Sequence, residues 1–325
     1  MSVAAVDCRA IEFLGDRRVR TVETRVPAPE ATEIRVRLEG CGVCASNLPV
    51  WDGRPWFRYP FAPGAPGHEG WGVVDAIGES VTDFRAGDRV ALVSGRAYSG
   101  YDIAPASQAV RIPEQLSDGP LPAEPLGCAM NIFRRSDIQP GQTVAIVGIG
   151  FLGAMLTALC VRAGARVIAL SRRPFAREMA ERMGASATIG TDDPQTAAKT
   201  AHSLNDKDGF DRVIEAVGDQ AALDLASELV GVRARLVIAG YHQDAQRSID
   251  MQRWNWLGID VVNAHERDPA EYLRGMREAI ELIAAGQLDP TPLYTHRFPL
   301  ADIGEGFEAL AARPAGFLKA IVDCR

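Results

Sequence analysis

The chain has no apolar run near the roughly 20 residues needed to span a bilayer, so no membrane-crossing helix is expected in its 325 residues. Residues 1–9 hold no basic segment followed by an apolar one, and no signal peptide is expected. Positive charge is in deficit. The formal net charge is −7 and the pI is about 5.4, which argues against nucleic acid or an anionic membrane as partner, since both select basic patches. Cysteine is sparse: six thiols, at 8, 41, 44, 128, 160 and 324, are scattered too widely for a disulfide framework and read as reduced. Internal repeats and low-complexity tracts are missing as well. What remains is 47% hydrophobic and 24% charged, long enough for two domains and a sizeable core. A cytoplasmic globular protein acting on small molecules is the expectation.

The first third reads as β-rich. Glu33–Leu38 alternates polar and apolar residues, the pattern of a half-buried strand, and short runs at Gly72–Gly78 and Asp88–Val93 follow between glycine- and proline-rich turns. Gly53–Pro66 is dense in aromatics and proline, a structured loop and not a linker. Near Pro120 the character changes to strand, glycine turn, helix, strand. Thr143–Val147, Phe151–Ala163, Arg166–Leu170 and Pro174–Met183 follow in turn, with strands at Asp211–Glu215 and Leu236–Ala239. Alternating βα units imply a parallel sheet covered by helices, an α/β fold class. After a helical stretch at Ala270–Ala284, strand-like runs at Leu293–Phe298 and Phe317–Val322 are expected to fold back onto the first domain.

Gly148-Ile149-Gly150-Phe151-Leu152-Gly153 lies between an apolar strand and an apolar helix. In that context Gly148 permits the tight turn, Gly150 lets a pyrophosphate approach the backbone, and Gly153 allows close helix–strand packing; Phe151 and Leu152 open the helix. The acidic residue that would hold an NAD ribose is missing at the end of the second strand, which reads Leu170-Ser171-Arg172-Arg173. A hydroxyl and two guanidiniums suit a 2′-phosphate, so NADP(H) is expected over NAD(H). Cys44, His68 and Glu124 are the three side-chain types zinc accepts, and three protein ligands leave one position open. Glu69, beside His68, is placed either to orient a ligand or to approach the metal itself. Cys41 and Cys44 also have redox-pair spacing, but at a strand end, not at a helix start.

Gly42-Val43-Cys44-Ala45-Ser46, Gly67-His68-Glu69, Gly87-Asp88-Arg89-Val90, Glu124-Pro125-Leu126 and the glycine turn occur in an order and spacing that resemble the zinc-dependent alcohol dehydrogenase group of the medium-chain dehydrogenase/reductase superfamily. The resemblance covers essentially the whole chain and is specific for the superfamily, much less so for one activity. It implies a GroES-like β-rich catalytic domain over 1–122, completed by 288–325, and a Rossmann domain over 123–287. It implies Cys44, His68 and Glu124 as ligands of one catalytic zinc, the glutamate being similar to the sorbitol (polyol) dehydrogenase branch. Ser46 then relays the alcohol proton, and Lys319 lies near the place of a basic residue on the pyrophosphate. A homodimer or homotetramer is implied, with Gly258–Asn263 as a candidate edge.

Departures from the family pattern are specific. Asn47 stands where an aspartate commonly supports the ligand histidine, and Pro49 replaces a histidine of the proton relay. Residues 91–113 contain no cysteine, so the structural-zinc lobe is absent and at most one zinc is expected. Cys128, one helical turn past Glu124, is a rival ligand. Trp51, Trp56, Phe57 and Tyr59 line a substrate pocket or belong to the core, and His265 lies beyond a late strand from which it could reach substrate. The expected function is reversible oxidation of a secondary or polyol-like alcohol to a carbonyl with NADP(H). The alternatives are a zinc-free quinone or enoyl reductase and a non-catalytic NADP(H)-binding protein.

Overall fold

The structure, a computed structural model, describes residues 3–116, 118–205 and 207–325. The chain forms two compact units, one reaching Gly127 and resuming over Pro269–Arg325, the other Cys128–Asp268. In the first lie β1 (Val6–Gly15), β2 (Arg18–Val26), β3 (Glu33–Gly42), α1 (Leu48–Trp51), β4 (Gly70–Ile77), β5 (Arg89–Leu92), β6 (Tyr101–Pro105) and β7 (Ala109–Arg111). The boundary falls inside α2 (Ala123–Ser136). The second unit continues with β8 (Thr143–Val147), α3 (Phe151–Arg162), β9 (Arg166–Leu170), α4 (Pro174–Arg182), β10 (Ala187–Ile189), α5 (Pro194–Ser203) and β11 (Phe210–Glu215). It ends with α6 (Gln220–Leu229), β12 (Val230–Ile238), α7 (Met251–Leu257) and β13 (Asp260–Asn263). Then α8 (Pro269–Ala284), β14 (Tyr294–Pro299), α9 (Ile303–Ala312) and β15 (Lys319–Asp323) return to the first.

In the first unit one sheet runs β14-β15-β3-β4-β5-β7, with β6 also paired to β3. The late strand β15 lies antiparallel to β3, Ile321 opposite Gly42, so the sheet closes only with residues from the end of the sequence. The alternation of β3 holds for Ile34, Val36 and Leu38, which are buried, and fails at Arg35, which is buried too. Its guanidinium is satisfied there by Asp75 at 2.6 Å and by the carbonyls of Ala4 and Pro27. Packing against the sheet is an aromatic cluster in which Phe307 of α9 stacks on Trp51 at 5.4 Å and meets the edges of Phe13 and Tyr98. Helix α8 is grouped with this unit by its contacts. A Cβ on Gly275 would come within 2.5 Å of the Gly127 carbonyl oxygen, so two glycines let α8 and the first turns of α2 touch backbone to backbone.

The second unit is the expected α/β structure, a GroES-like partner domain aside: a parallel six-stranded sheet ordered β10-β9-β8-β11-β12-β13. Every residue of Thr143–Val147 is buried, and so is every residue of β9 after Arg166, the continuous apolar pattern of strands covered on both faces. The strand order reverses between β8 and β11. That reversal is the place where open α/β sheets bind their ligands, at the carboxyl ends of the strands. Among the described residues, no helix is long and apolar enough to cross a membrane.

Candidate metal centre and dinucleotide cradle

Three neighbouring strands bring the metal candidates to one end of the first unit's sheet. Cys44 follows β3, His68 and Glu69 directly precede β4, and Lys319 opens β15, with β3 lying between the other two. The backbone fixes their register, through Gly42 N–H to Glu69 O at 3.2 Å and Val43 N–H to Ala320 O at 2.9 Å. Gly42 leaves room for the carboxylate, since a Cβ there would lie 1.7 Å from Glu69 Oε2.

Cys44, His68 and Glu69 offer donor atoms that all lie within 4.8 Å of one another, the group among the described residues that could hold a metal ion. His68 Nδ1 lies 3.0 Å from the Pro66 carbonyl oxygen. Donating there, Nδ1 leaves Nε2 as the nitrogen that would ligate a metal in place of its proton. Ser46 Oγ donates to Cys44 Sγ at 3.2 Å from the 3-10 turn Ala45–Asn47. Glu69 is fully buried, with Lys319 Nζ 2.6 Å from both carboxylate oxygens. Only Oε1 is in hydrogen-bonding geometry, and Oε2 has no hydrogen-bond partner. Ion-paired with Nζ but without a hydrogen bond of its own, Oε2 has room to accept from a cation beside it. Burial opposes charge on His68, yet the Cys44 sulfur, Glu124 and Glu69 outweigh it and push its pKa up to about 10. Burial likewise lowers the Lys319 pKa, and Glu69, Cys44 and Glu124 reverse that to a net rise. The site is built to hold positive charge. Thiolate, imidazole and carboxylate together are a zinc donor set.

Several residues are placed differently from the sequence expectation. Glu69, not Glu124, completes the compact donor group; Glu124 sits in the first turn of α2, half-buried, and acts on His68 and Lys319 through its charge. Lys319 is buried, with its ammonium paired to Glu69; sequence could not reveal this, because the partner is 250 residues away. Asn47 Oδ1 accepts from Tyr98 Oη at 3.1 Å, and the Pro66 carbonyl takes the histidine-supporting role instead. Cys41 is buried and its thiol pKa is pushed up by that burial, unlike an activated redox thiol, and all six cysteines are free. Cys128 is half-buried in α2. Trp51 is core, Tyr59 Oη donates to the Val50 carbonyl, and Phe57 packs on Phe61. Trp56, 58% exposed, is the member of that aromatic set that turns its ring to solvent.

In the second unit, the glycine turn has the three properties its spacing implies. Gly148 has φ +102°. A Cβ on Gly153 would lie 2.0 Å from the Gly148 carbonyl oxygen, whereas one on Gly150 would meet nothing within 4 Å. Gly150 is the N-cap of α3, and the space beside it is open, so the helix N-terminus there offers an approach to an anion. At the end of β9, Ser171 is buried and its Oγ accepts from Arg173 N–H at 3.4 Å, while Arg172 is exposed. The Arg173 guanidinium donates to the Ile149 carbonyl at 3.0 Å, which braces the glycine turn. A 2′-phosphate would therefore be met first by Arg172. Sequence reading missed Glu215, His242 and Arg247, a buried polar chain whose one hint was a carboxylate ending the apolar strand β11.

Residues 30–114 match the family profile of the alcohol dehydrogenase GroES-like domain, and residues 152–284 match that of zinc-binding dehydrogenases. The chain belongs to the zinc-type medium-chain dehydrogenase/reductase superfamily. Among superfamily relatives it is 28% identical to a 2-dehydro-3-deoxy-L-galactonate 5-dehydrogenase of Pseudoalteromonas atlantica, covering 97% of this chain and 98% of that one. It is 26% identical to an L-threonine 3-dehydrogenase of Bacillus subtilis, covering 91% and 93%. A provisionally named zinc-binding dehydrogenase of Sinorhizobium meliloti, solved bound to NADP, superposes with a TM-score of 0.83 at 24% identity over 98% and 99% of the two chains, a likeness of fold.

The buried pair makes a direct prediction. Lys319→Met leaves Glu69 buried without its counter-charge and should cost about 3–5 kcal/mol of unfolding free energy in chelator-treated protein, read by urea denaturation. Adding Glu69→Gln should return most of that loss, and a strictly additive double variant would show that the two side chains do not act as a pair.

Proposed function

We propose that the protein is a zinc-dependent, NADP(H)-linked alcohol dehydrogenase or ketone reductase acting on a secondary or polyol-like alcohol. The observation that carries this reading is the Cys44–His68–Glu69 donor group with the Glu69 oxygen that has no hydrogen-bond partner. Cys44, His68 and Glu69 would hold the ion, with Glu124 close enough in charge to serve as a further donor. When bound, zinc supplies a Lewis acid for the substrate oxygen and NADP(H) supplies the hydride acceptor or donor.

The chain's own residues do the rest. Lys319 tethers Glu69 through Oε1 and leaves Oε2 for the ion. The Pro66 carbonyl takes the Nδ1 hydrogen of His68, so Nε2 is the nitrogen that would give up its proton to the ion. Ser46, beside the Cys44 sulfur, takes the proton from the substrate hydroxyl on oxidation. Pro49 offers no group to carry that proton further, so solvent water receives it. The names of the two curated relatives denote dehydrogenation of hydroxylated acids, which supports a small polar alcohol as substrate class. Exposed Arg172 beside Ser171 supports NADP(H).

The same reading includes pairing of two chains through β13, the open edge of the parallel sheet, near which Trp256 is 89% exposed. Analytical ultracentrifugation should give a species of at least twice 35.0 kDa; a monomer at micromolar concentration rejects this.

Metal analysis of protein purified without chelator should find one zinc per chain, lost in Cys44→Ala along with at least about a hundredfold in turnover of a secondary-alcohol panel. Folded protein that neither contains nor takes up zinc would sink the reading. Arg172→Ala should weaken NADPH about tenfold while leaving NADH nearly unchanged, and equal loss for both would reject the assignment of the 2′-phosphate.

A further inference from the structure

The first unit holds a hollow away from the metal centre, and its place follows from how β3 is covered. β4 occupies one edge of β3 over most of its length, from Ile34 to Cys41. The other edge is shared. β6 covers it from Glu33 to Arg37, which lies opposite Tyr101, and β15 takes it up only from Gly40, opposite Asp323. Between the two strand ends the edge is met by single backbone bonds, Leu38 N–H to the Gly100 carbonyl oxygen at 2.9 Å and Cys324 N–H to the Glu39 carbonyl oxygen at 3.1 Å. Gly100 keeps this seam thin, since a Cβ there would lie 3.2 Å from the Cys8 Cβ of β1.

Leu38, Gly100, Tyr101 and Cys324 of the seam line a cavity of about 450 Å³. That volume is within the range of small-molecule sites. Thr21 of β2 and the segment Pro299–Ala301 after β14 complete much of the wall. The deeper surface is apolar. Leu38 and Leu300 are buried, and burial pushes the Cys324 thiol up to about 12, so that sulfur is neutral.

The charge around the cavity is of one sign. Arg9, Arg37 and Arg325 line it, and no carboxylate does. In a chain with 42 acidic residues against 35 lysines and arginines, that is a local reversal. Arg9 has only an exposed partner, Glu23 at 3.5 Å, and such pairs contribute little. Arg325 shares Glu39 with Arg89. Arg37 is exposed and, among the described residues, has neither a hydrogen bond nor an ion pair. An apolar hollow whose rim carries unspent guanidinium charge is complementary to an amphipathic anion, and the planar fork of arginine matches a carboxylate. We infer that this cavity binds a small monocarboxylate with an apolar body, its tail against Leu38, Leu300 and Cys324 and its carboxylate on Arg37. The site is separate from the metal centre. β15 opens with Lys319 and leads into Cys324, about 16 Å further along an extended strand.

Calorimetric titration of the full chain with decanoate tests this. One decanoate should bind per chain. Acetate, which lacks the tail, and decyltrimethylammonium, which reverses the charge, should each bind at least about tenfold more weakly. Arg37→Gln should weaken decanoate about tenfold, and Thr21→Trp, which fills the hollow from an exposed strand position, should weaken it at least as much. Both variants should keep the urea transition of the unsubstituted protein. Chelator-treated protein should bind decanoate as tightly as zinc-loaded protein; binding that requires zinc would put the carboxylate on the metal centre and reject the cavity. Decanoate bound equally by the protein and both variants, or decyltrimethylammonium bound as tightly as decanoate, would show partition onto an apolar surface and overturn the inference. No binding at millimolar decanoate overturns it as well.

Discussion

A carboxylate removed from water keeps its charge only if the protein returns what the solvent supplied, and for Glu69 that return comes from a lysine 250 residues further on. The pair dictates much of the first unit. Gly42 has to lack a side chain because Glu69 occupies the space a Cβ would fill. β15 has to insert between β14 and β3 because Lys319 must arrive beside the His68–Glu69 segment. Of the two oxygens, Lys319 hydrogen-bonds one and ion-pairs with the other, which has no hydrogen-bond partner. The choice of lysine is notable in a chain whose cations are nearly all arginine, Lys199 and Lys207 being the others. An ammonium is compact enough to sit 2.6 Å from both oxygens in a fully enclosed space, where a planar guanidinium would need a broader opening.

The two units recognise charge in opposite ways. The first gathers sulfur, imidazole and carboxylates until the local field favours a cation, and even His68 is held towards its charged form. The second uses no formal charge at its turn. The start of α3 and the absent side chain of Gly150 make the opening, and arginine enters only at its edge, where Arg173 donates to the Ile149 carbonyl.

How much was legible in the sequence follows from how local each feature is. The glycine turn is contained in six consecutive residues between a strand and a helix, so its geometry could be read directly, φ at Gly148 and the close approach at Gly153 included. Cys44 and His68 were legible because glycine-flanked ligand types stand out. Glu69 against Glu124 was not, because the choice depends on which carboxylate the β3–β4 register carries inward. The pairing of Lys319 with Glu69 was illegible for the same reason: the side chain's direction is set by a strand pairing across most of the chain. Asn47 carried the right polarity but the wrong partner, since Tyr98 arrives from a loop that sequence spacing does not position. The Glu215–His242–Arg247 chain was invisible as a motif because its members touch only once two parallel strands are side by side.

The insertion of the whole second unit between β7 and β14 has a consequence for the order in which the molecule is made. Synthesis delivers β3 early, then about 140 residues that form a complete sheet of their own, and only afterwards the strand that covers the edge of β3. Throughout that interval the nascent first unit presents unpaired amides and carbonyls at the Gly40–Gly42 end of β3, and an uncompensated glutamate beside them, to whatever else is emerging from neighbouring ribosomes. The sheet that is begun first is finished last.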